Sequence, residues 1–162
     1  YKAGFIMPVE GIITGVYGSQ RILNGVPKRP HYGIDIANKK GTIVISPSDG
    51  VVVLTEDDLY FSGGTIIISH GLGLTSSLLH LSEIFVKVGE KVHLGQEIGR
   101  VGSTGRSTGP HLHYEIIVNG KQVNPSTLKL PSGRKLNDQQ LGELKKLVDL
   151  KNQEIDGYKN KL

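Results

Sequence analysis

The chain has 162 residues, with 19 Lys and Arg against 15 Asp and Glu, a formal net charge of +4 and no cysteine. This length suits one domain with its own core, and the lack of cysteine excludes a disulfide scaffold, a thiol nucleophile and Cys-ligated metal sites. No apolar run approaches the roughly 20 residues that span a bilayer. No signal peptide is visible, and since the chain opens on Tyr1 we expect a mature or trimmed piece.

Composition favours strands over helices in most of the chain. Val and Ile total 30 while Ala totals 2, and 28 of those 30 lie before residue 132. β-branched residues suit a pleated, half-buried surface. Strands are predicted, in chain order, at Gly11–Tyr17, Thr42–Ser46, Val51–Leu54, Thr65–Ser69, Ser76–Leu81, Val86–Val88 with Lys91–Leu94, Gln96–Val101 and His113–Val118.

Turn signals separate these segments. Asn119-Gly120 between Val118 and Gln122-Val123 predicts a two-residue hairpin, and Arg21–Pro30 is predicted to be a loop. Short strands without intervening helical periods indicate an all-β core of antiparallel sheets, which we assign to residues 1–131.

Composition changes after Pro131, and residues 132–162 are predicted to be a helical extension. An apolar stripe at spacings of 3, 4, 7, 3 and 4 predicts a C-terminal α-helix. Its members are Leu141, Leu144, Val148, Ile155, Tyr158 and Leu162. We expect this helix to pack on the body of the protein; a partner-binding or coiled-coil helix is the alternative. Basic residues are scattered along the chain rather than clustered, so nucleic-acid binding is not expected.

Two histidine spacings carry chemistry. His111 and His113 stand two residues apart, so in a strand their side chains point to the same face and can converge on one ion or one water. His31 and Asp35 would lie about 13 Å apart in an ideal strand. Gly33, midway between them, permits the bend that would bring them together. Together with one more histidine, they would make a three-ligand zinc site with an open fourth position.

The ordered motifs resemble one known family. His31-x-x-x-Asp35, Leu79-His80-Leu81-Ser82 and Pro110-His111-Leu112-His113 occur in the order seen in lysostaphin/LytM-type zinc metalloendopeptidases, which are peptidoglycan hydrolases. Flanking segments are similar too, and the match covers roughly residues 5–130. The resemblance implies a compact antiparallel β domain with a groove over the metal.

The resemblance also implies roles for five residues. One Zn²⁺ per chain would be held by His31, Asp35 and His113, while His80 and His111 would be the catalytic histidines. Spacing alone leaves open whether His111 or His113 is the ligand. The implied substrate is the peptide stems of peptidoglycan, which places the protein in the periplasm or otherwise in the cell envelope.

One position departs from the family pattern. The family usually has tyrosine two residues before the middle histidine, where this chain has Leu78. A phenol there could donate a hydrogen bond to a developing oxyanion, so we expect lower activity unless another group, such as Tyr114 or Tyr32, compensates.

Three functions are therefore compared. An active zinc endopeptidase is favoured because every implied position is filled. A weakly active or inactive module that binds cell wall or regulates other hydrolases is the alternative. A biotinyl- or lipoyl-like carrier is disfavoured because no lysine stands in a modification motif. An inhibitory segment or partner would lie outside this chain.

Two further histidines are predicted to have no direct role. His70 is interpreted as structural or as a neighbour of the site, and His93 as a solvent-facing strand residue.

Overall fold

The computed structural model describes residues 4–20, 22–23, 25–27, 29–128 and 138–159. The chain divides into two compact units, Tyr1–Leu130 and Pro131–Leu162. The elements in chain order are β1 (Ile12–Gly15), β2 (Ile22–Leu23), β3 (Val26–Pro27), β4 (Ile34–Ala37), β5 (Ile43–Ile45), β6 (Gly50–Leu59), β7 (Gly63–Gly71), β8 (Leu74–Ile84), β9 (Lys91–Val92), β10 (Glu97–Val101), β11 (His111–Val118), β12 (Lys121–Val123) and α1 (Asp138–Lys159).

Ten strands form one sheet in which every pairing is antiparallel. The main path runs β1-β4-β11-β8-β7-β6-β9, with β10 bridging β5 and β8 and with β12 beside β11. The predicted all-β antiparallel core with a C-terminal helix is confirmed. The hairpin at Asn119-Gly120 is also confirmed: both residues have positive φ, 49° and 79°, as a tight two-residue turn requires.

Three local predictions differ from the structure. The predicted loop Arg21–Pro30 contains a small hairpin of β2 and β3. Residues 86–88 form no strand; only Lys91–Val92 of that prediction pairs, beside β6. Strand β4, a four-residue strand that directly follows the bend at Gly33, is absent from the predicted strands, although its buried and half-buried residues alternate.

The core lies on one face of the central strands. In β11, Leu112, Tyr114 and Ile116 are buried among the aliphatic side chains of neighbouring strands. Alternation along the strand therefore sends His111 and His113 to the opposite face. The alternation along β11 therefore decides which face of the sheet can carry a site.

Tyr114 places a polar atom in the core. Its side chain is 1% exposed, and its hydroxyl has no hydrogen-bond partner among the described residues. Burial also raises the pKa of this phenol. Within the described residues, no protein group therefore replaces the hydrogen bonds that the hydroxyl makes to water in the unfolded chain.

We expect Tyr114→Phe to stabilise the protein by about 1 kcal/mol, because it removes an unsatisfied buried hydroxyl. Denaturant unfolding measures the effect. Tyr17→Phe is the matched control, since the Tyr17 hydroxyl donates to the carbonyl of Gln122 at 2.9 Å and its loss should lower stability. A lower unfolding midpoint for Tyr114→Phe would contradict this account.

The second unit contains α1, as the apolar stripe predicts. Leu162, the last member of that stripe, lies outside the described residues. That the helix packs on the β domain stays a prediction. Across the described ranges, no helix combines the length and the apolar character needed to cross a membrane.

Candidate metal centre

Neighbouring strands bring Asp35 and His113 side by side. Asp35 in β4 is the direct cross-strand partner of His113 in β11, and partners across an antiparallel pair point to the same face. Nδ1 of His113 lies 2.7 Å from Oδ1 of Asp35. The contact thus follows from strand register rather than from the positions of the two residues in the sequence.

His31 joins them because the chain bends before β4. The backbone bends at Gly33, where a side chain would overlap the carbonyl of Tyr114. The bend brings Nε2 of His31 within 3.0 Å of both Oδ1 of Asp35 and Nδ1 of His113. The bend therefore lies at Gly33, the residue at which the sequence predicts it.

The three ligand atoms suit a small divalent ion. They all lie within 4.8 Å of one another, and their separations are 2.7–3.0 Å. A tetrahedral zinc with bonds of about 2.0–2.1 Å separates its ligand atoms by about 3.3 Å. Two imidazole nitrogens and one carboxylate oxygen form a three-ligand zinc set that leaves one coordination position open. The residues present therefore fit the metal that the sequence predicts.

Each imidazole is oriented by a hydrogen bond from its other nitrogen. Nδ1 of His31 donates to the carbonyl of Val16 at 3.0 Å, and Nε2 of His113 donates to Oε1 of Glu115 at 2.9 Å. In the neutral rings, the nitrogens that face Asp35 thus carry lone pairs, which is the form that binds a metal, whereas a protonated ring donates from the same nitrogen to Asp35.

Charge in the cluster is balanced internally. Burial by itself raises the pKa of Asp35, but hydrogen bonds from His113 and His31 outweigh it and hold that pKa far below its usual range. Burial likewise lowers the pKa of His113, while the carboxylates of Asp35 and Glu115 outweigh it and raise the pKa. A carboxylate at this point therefore stays ionised and available as a ligand.

Glu115 is a residue of the centre that the sequence reasoning missed. It stands two residues after His113 in β11, so both side chains share the site face. The same period of two that relates His111 to His113 therefore continues to Glu115. A carboxylate that accepts from a ligating histidine fixes its tautomer and increases its basicity.

We expect Glu115→Ala to weaken zinc binding by about 10- to 100-fold, because the outer nitrogen of His113 loses its carboxylate partner. Competition with a chromophoric chelator measures the affinity. Glu115→Gln should recover part of the loss, since an amide oxygen still accepts the hydrogen bond. Glu97→Ala, a change at an exposed strand position, is the control; an affinity in Glu115→Ala equal to that control would refute the role of Glu115.

His111 lies beside the three-residue cluster without entering it. Its Nε2 is 3.8 Å from Oδ1 of Asp35, while its Nδ1 donates to the carbonyl of Gly109 at 2.8 Å, with Oγ of Ser107 at 3.2 Å. Nε2 therefore presents a lone pair toward the site. Of the two histidines, His113 contacts both His31 and Asp35, and His111 contacts neither ring nitrogen of His31 among the described hydrogen bonds.

His80 reaches the site through an irregularity in β8. Its φ is +65°, a left-handed conformation that side-chain-bearing residues rarely adopt, and the register of β7 with β8 shifts between Ile66 and Gly64, opposite this residue. Plain alternation would turn position 80 to the core face together with Leu78. The bulge instead places the His80 ring 4.7 Å from the ring of His111, centroid to centroid.

Two hydrogen bonds hold His80 in that conformation. Its main-chain N–H donates to the carbonyl of Ser62 at 2.8 Å, and its Nδ1 donates to the carbonyl of Thr104 at 2.8 Å. Burial lowers the pKa of its imidazole. The neutral ring therefore turns a lone pair, on Nε2, away from Thr104.

Leu78 does not face the centre, so the expectation that it costs the site a donor is wrong. It pairs with Tyr114 across β8 and β11 and is 0% exposed in the core. That face is opposite the one that carries His113. Tyr114 belongs to the same core and is excluded as a compensating donor, whereas Tyr32 lines a cavity of about 260 Å³ beside His31 and His113.

The remaining histidines lie outside the cluster. His70 is buried, donates from Nδ1 to the carbonyl of Asp49 at 2.7 Å and lies 2.5 Å from Oγ of Ser76 through Nε2, which is a structural role. His93 follows β9 rather than lying in a strand, and its side chain is 81% exposed.

Comparison with known proteins agrees with this geometry. The model of peptidase family M23 matches residues 29–125. The chain is 50% identical over 113 residues to the peptidoglycan DD-endopeptidase ShyA of Vibrio cholerae, covering 68% of this chain and 26% of that protein. It is 44% identical over 104 residues to the DD-carboxypeptidase/endopeptidase Mpg of Neisseria meningitidis, covering 64% and 24%. The chain thus spans about a quarter of the length of these relatives.

Solved structures agree with the fold. A zinc-containing peptidase from Vibrio cholerae superposes with a TM-score of 0.74 at 34% identity, covering 79% of this chain and 41% of that one. The catalytic domain of lysostaphin from Staphylococcus simulans superposes with a TM-score of 0.60 at 36% identity, covering 68% and 86%. The fold is therefore that of the lysostaphin/LytM type, and the chain belongs to peptidase family M23.

Proposed function

We propose that the chain is a zinc-dependent endopeptidase that hydrolyses peptide cross-links of bacterial peptidoglycan. The observation that carries the proposal is the convergence of His31, Asp35 and His113 within 4.8 Å, with two further imidazoles beside them. Its similarity to proteins named peptidoglycan DD-endopeptidases supports the substrate class. Action on peptidoglycan implies a location in the periplasm or elsewhere in the cell envelope.

The metal would be held by Nε2 of His31, Oδ1 of Asp35 and Nδ1 of His113, one ion per chain. A zinc ion in this position supplies a Lewis acid that polarises the scissile carbonyl and lowers the pKa of a bound water toward about 7. The single carboxylate offsets part of the metal charge. Val16 and Glu115 keep the two imidazoles in the orientation that binding requires.

His111 would act as the general base. Its Nδ1 hydrogen is committed to the carbonyl of Gly109, so Nε2 has a free lone pair near Asp35. An imidazole nitrogen with a free lone pair can accept a proton from the attacking water and pass it to the leaving amine.

His80 would share this work. Because its Nδ1 hydrogen is committed to the carbonyl of Thr104, the neutral ring has no hydrogen left on Nε2 to offer to an oxyanion. It donates from Nε2 only after it has accepted a proton. The two histidines would therefore alternate between proton acceptor and hydrogen-bond donor, according to which of them carries the proton.

The inactive-module alternative loses its main support in the structure. Its motivation was the missing tyrosine at Leu78, and that position is in the core. Zinc at one per chain without turnover of any wall preparation would restore this alternative.

Metal removal tests the proposed function. Zinc-loaded protein incubated with purified sacculi should release soluble muropeptides, chelation should stop the release, and added Zn²⁺ should restore it. Mass analysis of the products from defined cross-linked muropeptides identifies the bond that is cut. Release that continues unchanged after complete metal removal would refute the proposal.

A further inference from the structure

The turn between β6 and β7 carries two exposed aromatic side chains. Tyr60 is 78% exposed and Phe61 is 64% exposed, and their rings pack edge to face with centroids 4.8 Å apart. Adjacent exposed aromatic rings form a large apolar surface, and none of the residues that the structure describes covers it. Such surfaces commonly bind something.

A cation stands over one of these rings. Cζ of Arg106 is 5.7 Å from the centroid of Phe61, and the Arg106 main-chain N–H donates to the Phe61 carbonyl at 3.0 Å. Within the described ranges, Arg106 forms no ion pair. Its guanidinium is therefore oriented by the ring while its side-chain donors stay available.

A second arginine–phenylalanine pair shows the contrast. Cζ of Arg100 lies 5.5 Å from the centroid of Phe85, but Arg100 also forms an ion pair with Glu83 at 3.3 Å and donates to the carbonyl of Gly41 at 2.9 Å. That guanidinium is used within the fold. Arg106 is the arginine of the two whose charge is left for a ligand.

The backbone ties this pair to the site. Ser62, next to Phe61, accepts the main-chain hydrogen of His80, and Thr104, two residues before Arg106, accepts the hydrogen of the His80 ring. Oγ1 of Thr104 also accepts from the main-chain N–H of Gly64 at 2.9 Å. The aromatic turn and the Arg106 loop thus form one wall next to His80.

We propose that Arg106, held by Phe61, binds a free carboxylate of an acidic peptide whose scissile bond lies at the metal centre. The inference rests on the proposed function and adds a specificity residue to it. A guanidinium binds a carboxylate through two parallel hydrogen bonds, and a neighbouring ring limits its freedom and its hydration. Tyr60 and Phe61 supply an apolar surface for the adjoining part of the peptide.

Binding without turnover tests this proposal separately from catalysis. Zinc-loaded His111→Ala protein is titrated calorimetrically with a cross-linked muropeptide dimer and with the same dimer after amidation of its free carboxylates. We expect Arg106→Gln in this background to weaken binding of the acidic dimer by about tenfold and of the amidated dimer by less than about twofold. Phe61→Leu should weaken acidic binding by a smaller factor, and Arg100→Gln, the matched control, should leave both affinities unchanged.

The outcomes separate the two proposals. Equal weakening of both dimers by Arg106→Gln, no weakening of either, or no measurable binding by the parent protein overturns the carboxylate site. Arg29 lines the cavity beside His113. If Arg29→Gln, rather than Arg106→Gln, abolishes the preference for the acidic dimer over the amidated dimer, the proposal for Arg106 is overturned as well. Failure of the protein with intact His111 to cleave either dimer refutes the endopeptidase proposal, and the binding data still decide the role of Arg106.

Discussion

His113→Ala is expected to abolish both zinc binding and hydrolysis. The variant removes the proposed ligand atom that lies closest to Asp35 and that also contacts His31, so two of the three proposed donors remain. A metal supplies several kcal/mol of transition-state stabilisation, and each 1.36 kcal/mol is a factor of ten in rate. The loss should therefore be on the order of 10³-fold or more.

Muropeptide release from sacculi and the zinc content of the purified protein measure the two losses. His93→Ala is the control, since that side chain is exposed and lies outside the cluster. The thermal midpoint shows whether the variant still folds, which it should, because His113 faces away from the core. If the folded, zinc-free variant released muropeptides as fast as the unmodified protein, the proposed mechanism would be refuted.

The second large effect is expected at His111, where activity and metal binding should separate. His111→Ala removes the proposed base but none of the three ligand atoms, so zinc affinity should stay within about twofold of the original while kcat falls by about 10²–10⁴. KM should change much less than kcat, because the lost interaction belongs to proton transfer.

Turnover of a defined cross-linked muropeptide and chelator competition give the two quantities. His80→Ala should show the same separation, with zinc retained and kcat reduced. A variant at position 111 that loses zinc as completely as His113→Ala would instead make His111 a ligand and would require a different assignment of roles.

Local chemistry made part of this centre predictable from sequence. Asn119-Gly120 requires positive φ at both positions, so the hairpin that follows β11 could be predicted from two residues. The two-residue period places His111 and His113 on one face. The same period would have identified Glu115, had it been followed one step further.

The rest depended on register, which a sequence pattern leaves undetermined. That Asp35 lies opposite His113 follows from how β4 aligns with β11. His80 itself has the left-handed conformation that interrupts the alternation of side chains along β8. Counting every second residue therefore assigns His80 to the wrong face of the sheet. The expectation for Leu78 came from the family motif alone, and a motif does not say which face a residue occupies; the pairing of Leu78 with Tyr114 places it in the core.

The left-handed backbone conformation of His80 has a consequence for the stability of variants at this position. A left-handed conformation costs a residue with a side chain about 1–2 kcal/mol, a penalty that glycine escapes and asparagine largely escapes. Under the proposed mechanism the imidazole at position 80 is worth that penalty, whereas His80→Gly and His80→Asn should relieve it and leave the proposed ligands His31, Asp35 and His113 in place. Such variants would combine higher stability and retained zinc binding with loss of the turnover proposed for this chain.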